Sequence, residues 1–148
     1  MREFFKGTII LSGCLSNGQD VAAALMLGAD FAYLGTRFIN TTEAMAPDAY
    51  KDMIIESGAT DIVHTAAVSG IPANFMIKSL QANGIDPKSL PEHKLDMADE
   101  AKAWKTVWSA GQGAGAVHDV LPAATLIARL RTEYAEATEQ FASKVGVG

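Results

Sequence analysis

Cysteine is nearly absent: Cys14 is the single one among 148 residues. A lone thiol cannot close an internal disulfide, so nothing here points to an oxidising compartment. Basic charge is also short. Twelve Lys and Arg stand against seventeen Asp and Glu, for a net charge of −5. That balance excludes the basic face that nucleic acid calls for, and equally a polybasic contact with an anionic membrane. No apolar run approaches the roughly 20 residues needed to span a bilayer. The three histidines, His64, His93 and His118, are isolated in the sequence. None stands at ligand spacing with another His, Cys or carboxylate, so no metal is expected and each is read as a structural or surface residue. No Ser-His-Asp or paired-carboxylate arrangement stands out, and there is no internal repeat or low-complexity segment. What is present is a 49% hydrophobic chain of single-domain length, for which the cytoplasm is the expected location.

The N-terminus carries one misleading pattern. Arg2 and Lys6 precede a short apolar run, Thr8 to Leu11, and Leu11-Ser12-Gly13-Cys14 resembles a lipoprotein cleavage box. The run is shorter than a usual signal core, and a patterned helix and strand follow Cys14 where a polar tether would be needed. A non-catalytic lipoprotein is kept only as a distant alternative. Asn40-Thr41-Thr42 fits a glycosylation sequon, which carries no meaning without secretion.

Along the chain, residues 2–6 read as the tail of a helix that Gly7 ends. Thr8 to Leu11 fits a strand buried on both faces, as in parallel sheets. A helix follows from Asn17 to about Leu27, capped by Ser16 or Asn17 and stopped by a left-handed Gly28. Asp30 to Leu34 is the next strand-like run. Strand, loop, helix and strand make a βαβ unit with parallel strands. Helices are predicted over 43–57, with Pro47 in the first turn, over 72–83, over 98–107, and over 120–141. In the last of these Leu126, Leu130, Tyr134 and Ala137 share a face, and Asp119 is placed as the N-cap. Residues 61–68 lean to strand. The glycine-rich run 109–115 is read as irregular.

Three motifs could carry chemistry. Ser12-Gly13-Cys14-Leu15-Ser16-Asn17-Gly18 lies between a strand and a helix start, where small residues and free backbone N–H groups suit an anion, usually phosphate. A ligand-free tight turn explains that motif alone equally well. Gly35-Thr36-Arg37-Phe38 follows the next strand: glycine allows close approach, and the threonine hydroxyl can donate. Neighbouring parallel strands bring both turns to the end where α/β folds bind ligands, which favours the phosphate reading. Arg37 is read as a salt-bridge or surface residue in preference to a phosphate ligand. Trp108-Ser109-Ala110-Gly111-Gln112-Gly113-Ala114-Gly115 could pass over a flat ligand, with Gln112 offering both donor and acceptor; an interdomain turn is the plainer reading. Cys14 could be a reactive thiol at a helix N-terminus, or simply a small residue beside a ligand.

The segment "IILSGCLSNGQDVAAALMLGADFAYLGTRF" resembles the signature region of the nitronate monooxygenase (2-nitropropane dioxygenase) family, and more loosely inosine-monophosphate-dehydrogenase-like barrels. "GIPANFM", and "WSAGQGAG" followed by a helix near "DVLPAA", narrow the resemblance to the first of these. It implies an α/β fold, the C-terminal portion of a (β/α)8 TIM barrel: residues 8–12 and 30–35 would be strands seven and eight, with an inserted helical segment and C-terminal helices. The implied segments are a phosphate-binding βαβ unit over 1–60, an insertion over 61–115 and a C-terminal helix over 116–148. The implied cofactor is FMN, its phosphate held by backbone N–H groups of Gly13 and Cys14 with those of Gly35 and Thr36, and Gln112 near the cofactor or the site rim. The family often has two glycines in the first turn; here Cys14 takes the second place. The implied activity is oxidation of alkyl nitronates, with oxygen, to a carbonyl compound and nitrite. Relatives on the same barrel are NAD(P)H:quinone or enoyl-thioester reductases, which remain the alternative. The catalytic base is expected from earlier strands and is not assigned to any residue here.

A (β/α)8 barrel takes about 250 residues and closes on itself. Two parallel strands leave both edges unpaired and one apolar face uncovered. The chain is therefore expected to be a C-terminal fragment, more a truncated reading of a longer gene than half of a split enzyme. Alone it should fold poorly and show no turnover unless a missing N-terminal barrel half, or self-association, completes it.

Overall fold

The computed structural model describes residues 1–68, 70–88 and 105–146. In chain order the elements are β1 (Ile10–Ser12), α1 (Gly18–Met26), β2 (Phe31–Tyr33), α2 (Thr36–Ile39), α3 (Asp48–Ile55), a 3-10 turn (Ala59–Asp61), β3 (Ile62–Thr65), β4 (Ala73–Met76), α4 (Ile77–Ala82), a second 3-10 turn (Gln112–Ala116) and α5 (Ala123–Val145). They form two compact units, Met1–Met45 with Asp119–Gly148, and Ala46–His118.

In the first unit β1 and β2 pair in parallel, with Ile10 opposite Phe31, Leu11 opposite Ala32 and Ser12 opposite Tyr33. The crossover helix α1 starts where its sequence supplies a capping box. The Asn17 side chain accepts from the Asp20 N–H at 2.8 Å, and the Asp20 carboxylate accepts from the Asn17 and Ser16 N–H groups at 3.2 and 2.7 Å, so backbone donors that the first turn leaves over are satisfied. Gly28, at φ 93°, turns the chain out of α1. The start of β2 is tied to β1 by Asp30, whose carboxylate accepts from the Ile9 N–H at 2.7 Å and pairs with Arg2 at 2.5 Å. The Ile9 hydrogen bond, then the Arg2 hydrogen bond and charge, hold the Asp30 carboxyl below the usual carboxylate range. Residues 2–6 are not a helix tail: a turn with Phe4 and Phe5 donating to the Met1 carbonyl precedes β1.

Helix α5 packs along α1. Leu126 is buried, and Leu130, Tyr134 and Ala137 are half-buried on the same face. The contact is close because Gly18 lies directly on the α5 backbone. The other face of the sheet is different. Ile10, Phe31 and Tyr33 are 60%, 60% and 63% exposed, so the expected burial of β1 on both faces does not hold among the described residues. Only Leu11 and Ala32 face the helical side.

In the second unit β3 and β4 are antiparallel, Ile62 opposite Met76 and Thr65 opposite Ala73. Phe75, Leu80 and Val107 make its core, with Val63, Val68, Ala73 and Ile85 packed around them. The inserted segment is thus not purely helical. The helix predicted over 72–83 is a strand to Met76 and a helix only from Ile77. Cross-strand partners decided this, and helical spacing could not show them. Residues 46–60 group with this second unit rather than with the βαβ unit. Pro47 stands outside α3 as its N-cap. The glycine-rich run is partly regular: Gln112–Ala116 is a 3-10 turn around a fully buried Ala114. Most of the helix predicted over 98–107, and His93, lie outside the described residues. No described helix is long and apolar enough to cross a membrane.

Candidate anion-binding site at the strand ends

Ser12 and Tyr33 are opposite one another at the ends of β1 and β2, so the Gly13-Cys14 and Gly35-Thr36 turns leave adjacent parallel strands at the same end. Adjacent strands run about 4.8 Å apart. Both turns have open space at their glycine. A Cβ built on Gly13 or on Gly35 meets nothing within 4 Å. Gly13 and Cys14 take consecutive left-handed conformations, φ 102° and 57°. The first suits glycine alone; the second is uncommon for a side-chain-bearing residue and costs of order 1 kcal/mol. Cys14 is exposed. Gly35 is the N-cap of the short α2, and Thr36 its first residue.

The start of α1 does not add what sequence reasoning assigned it. Besides the Asn17–Asp20 box, the Gly18 N–H donates to the Glu133 carboxylate of α5 at 2.7 Å. The N–H groups of Ser16, Asn17, Gly18 and Asp20 are all taken by protein side chains, two of them carboxylates. An incoming anion would meet the Asp20 and Glu133 carboxylates there.

Arg37 is buried and serves the fold. It donates to the Asp119 carbonyl at 3.1 Å and to the Asp119 carboxylate at 2.5 Å. Arg129 takes the other carboxylate oxygen at 2.7 Å. Asp119 is therefore not the N-cap of α5: Pro122 occupies that position, and the Glu43 carboxylate receives the Ala123 N–H at 2.9–3.0 Å. Burial raises the Asp119 carboxyl, but the hydrogen bond from Arg129 and the charges of Arg37 and Arg129 outweigh it and hold it below its ordinary value. The Arg37–Asp119 pairing lies 82 residues apart in sequence, and only the acidic residue before the last helix hinted at it.

Gln112 belongs to the second unit and is exposed, at the start of its 3-10 turn. Trp108 stacks on Tyr50 with ring centroids 5.1 Å apart and planes within 8°, and the Tyr50 hydroxyl donates to the Ser109 carbonyl. Burial pushes the Tyr50 phenol up, against that hydrogen bond. These contacts fix the beginning of the glycine-rich run within its own unit. Among the described residues no three His, Cys, Asp or Glu side chains gather as a metal site.

Comparison with known proteins bears on the family and the fold. A nitronate monooxygenase from Paraburkholderia phytofirmans is 36% identical, the match covering 89% of this chain and 39% of that one. A nitroalkane oxidase structure from Streptomyces ansochromogenes superposes with a TM-score of 0.78 at 29% identity, over 95% of this chain and 43% of its own. FabK from Thermotoga maritima shares the fold, with a TM-score of 0.72 at 23% identity over 95% of this chain and 48% of its own. The chain thus has the α/β fold of part of a (β/α)8 barrel and spans less than half the length of these relatives. Residues 8–133, which contain both strand-end turns and the first half of α5, match the family model named Nitronate monooxygenase, and the chain belongs to that family of flavin-dependent oxidoreductases.

Proposed function

We propose that this chain supplies the FMN-phosphate cradle of a cytoplasmic nitronate-oxidising enzyme, with β1 and β2 as strands seven and eight of its barrel. The observation that carries the reading is the pair of glycine turns at the same end of two in-register parallel strands, each with open space where a side chain would start. In this reading the N–H groups of Gly13, Cys14, Gly35 and Thr36 hold the phosphate, the Thr36 hydroxyl donates to it, and the amide of Gln112 lies near the cofactor or the rim. FMN, when bound, would supply the redox chemistry for oxidation of the nitronate, with oxygen, to a carbonyl compound and nitrite. Orientation would be the contribution of these residues: they would fix the phosphate end of the cofactor at the strand ends, with the base expected from the remaining strands. Those strands cover Ile10, Phe31 and Tyr33, and come from further polypeptide or from self-association.

Gly35→Ala tests the cradle. The Gly35 φ of −102° admits alanine without strain, so stability should stay within about 0.5 kcal/mol while the new methyl group enters the space meant for phosphate. In the assembled barrel, wild type should retain FMN and release nitrite from an alkyl nitronate, and Gly35→Ala should lose FMN at least tenfold. Turnover of NAD(P)H with a quinone in place of nitrite release, or full FMN retention by Gly35→Ala, would defeat the proposal.

A further inference from the structure

The residue after the Gly35-Thr36 turn and the start of α1, four residues beyond Cys14, are both anchored to one element, α5 with the residues leading into it. On the β2 side Arg37 directly follows Thr36, its side chain only 4% exposed, and the Asp119 carboxylate holds it at 2.5 Å. Arg129 of α5 fixes that carboxylate from the other side at 2.7 Å. The same stretch is zipped further along: the Leu121 N–H donates to the Asn40 carbonyl at 3.3 Å, and the Leu121 carbonyl accepts from the Thr42 N–H at 3.0 Å. On the β1 side Glu133 receives the Gly18 N–H at 2.7 Å. A Cβ on Gly18 would fall 2.5 Å from the Glu133 Cβ and inside contact of the Leu130 carbonyl and Tyr134 N–H, so α1 and α5 touch backbone to backbone. Between Ala123 and Glu133 runs uninterrupted helix, which rises about 1.5 Å per residue. That stretch is a stiff rod roughly 15 Å long, and Arg129 on it ties Asp119, which lies just before the helix, to the same element that carries Glu133.

We infer that α5 is the positioning element of the cradle, setting the spacing of the Gly13-Cys14 and Gly35-Thr36 turns through Asp119 and Glu133. The inference rests on the FMN-phosphate reading above. Neither carboxylate is suited to touch the phosphate, since like charges repel. They act through Arg37 and through the first N–H of α1, whose position follows from theirs. Misplacement of a binding group by about 1 Å is enough to cost on the order of a hundredfold, whereas a brace that served stability alone would leave affinity unchanged below the melting transition.

The test compares FMN with riboflavin, which lacks the phosphate, as probes of Asp119→Ala, Glu133→Ala, Glu133→Asp and Glu133→Gln in the chain assembled with the strands that complete the barrel. Titrations follow flavin fluorescence well below each melting temperature. The alanine variants should weaken FMN by about 10- to 100-fold and leave riboflavin within about twofold. Glu133→Gln, which still accepts from Gly18, should retain FMN. Glu133→Asp, with a shorter arm, should fall between and gives the answer if an alanine variant fails to fold. Equal losses for FMN and riboflavin, or lowered melting temperatures with FMN affinity unchanged, would overturn the positioning role. A wild type that binds FMN no better than riboflavin would overturn the cradle itself, a distinguishable result.

Discussion

Gly18→Ala is the sharpest probe of how this half of the barrel holds together. Gly18 is the first residue of α1 and is buried against α5. Carbon atoms in contact normally stand about 3.5–4.0 Å apart, while the added Cβ would sit 2.5 Å from the Glu133 Cβ. The helices must therefore separate by about 1 Å, or α1 must tilt. The other two obstacles, the Leu130 carbonyl and the Tyr134 N–H, are backbone, so no side-chain rotation relieves the clash. Overpacking of this kind costs about 1–3 kcal/mol, and the rigid obstacles place it at the top of that range. Alanine recovers about 0.5–1 kcal/mol of helix propensity. The net is about 2 kcal/mol of destabilisation, which for a chain of this size lowers the melting temperature by about 4–8 °C. Separation also lengthens the 2.7 Å hydrogen bond from Gly18 to Glu133. Thermal melts by circular dichroism measure the effect, and amide exchange at Gln19 and Asp20 reports the loosened helix start. A variant melting within about 1 °C of wild type would refute the close crossing.

Three further outcomes follow from particular contacts. Gly115→Ala should be nearly silent, within about 0.5 kcal/mol by urea denaturation, because its Cβ would rest in ordinary contact 3.5 Å from the Ala59 nitrogen. Asp119→Ala strands the buried Arg37 guanidinium and should cost about 3 kcal/mol, while Arg37→Met removes the charge with its need for a partner, leaves Asp119 paired with Arg129, and should cost clearly less in the same measurement. Asp30 has a folded pKa below its unfolded one, so the stability it contributes is fully present above pH about 4 and is lost as pH falls through the depressed folded value. The melting-temperature drop on acidification below pH about 4 should accordingly be smaller in Asp30→Asn than in wild type.

The first unit was legible in the sequence because its signals are local. Ile10–Ser12 and Phe31–Tyr33 are short β-branched or aromatic runs, and α1 carries both its cap and its stop within a dozen residues. Arg37 as an ion-pair residue was also readable, since a guanidinium next to a close-approach turn needs a fixed partner. What the sequence hid depends on long-range pairing. Residues 73–76 have no strand signature of their own and become β4 because Ile62–Thr65 lies beside them. The glycines of 111–115 suggested irregular chain, yet Ala114 is buried and orders a 3-10 turn. Asp119 looked like a cap because caps are the common use of an aspartate before a helix; a buried Arg37 outcompetes that use. The apolar faces of Ile10, Phe31 and Tyr33 suggested burial on both sides, and hydrophobicity alone does not say which element covers them.

The occupied start of α1 changes how such a turn should be read. A small-residue loop before a helix suggests a dipole-driven anion site, but here Glu133 and Asp20 place carboxylates where the anion was expected. A macrodipole offers about half a charge, and two carboxylates offset it. In the proposed cradle the phosphate is held instead by backbone at the strand ends, where Gly13 and Gly35 keep side chains out of the way. This makes affinity sensitive to turn geometry rather than to net charge. Replacing Glu133 by Gln removes a repelling charge yet keeps the acceptor for Gly18. If dipole attraction dominated, FMN would bind that variant more than about tenfold tighter; if the turns dominate, it binds nearly as wild type does.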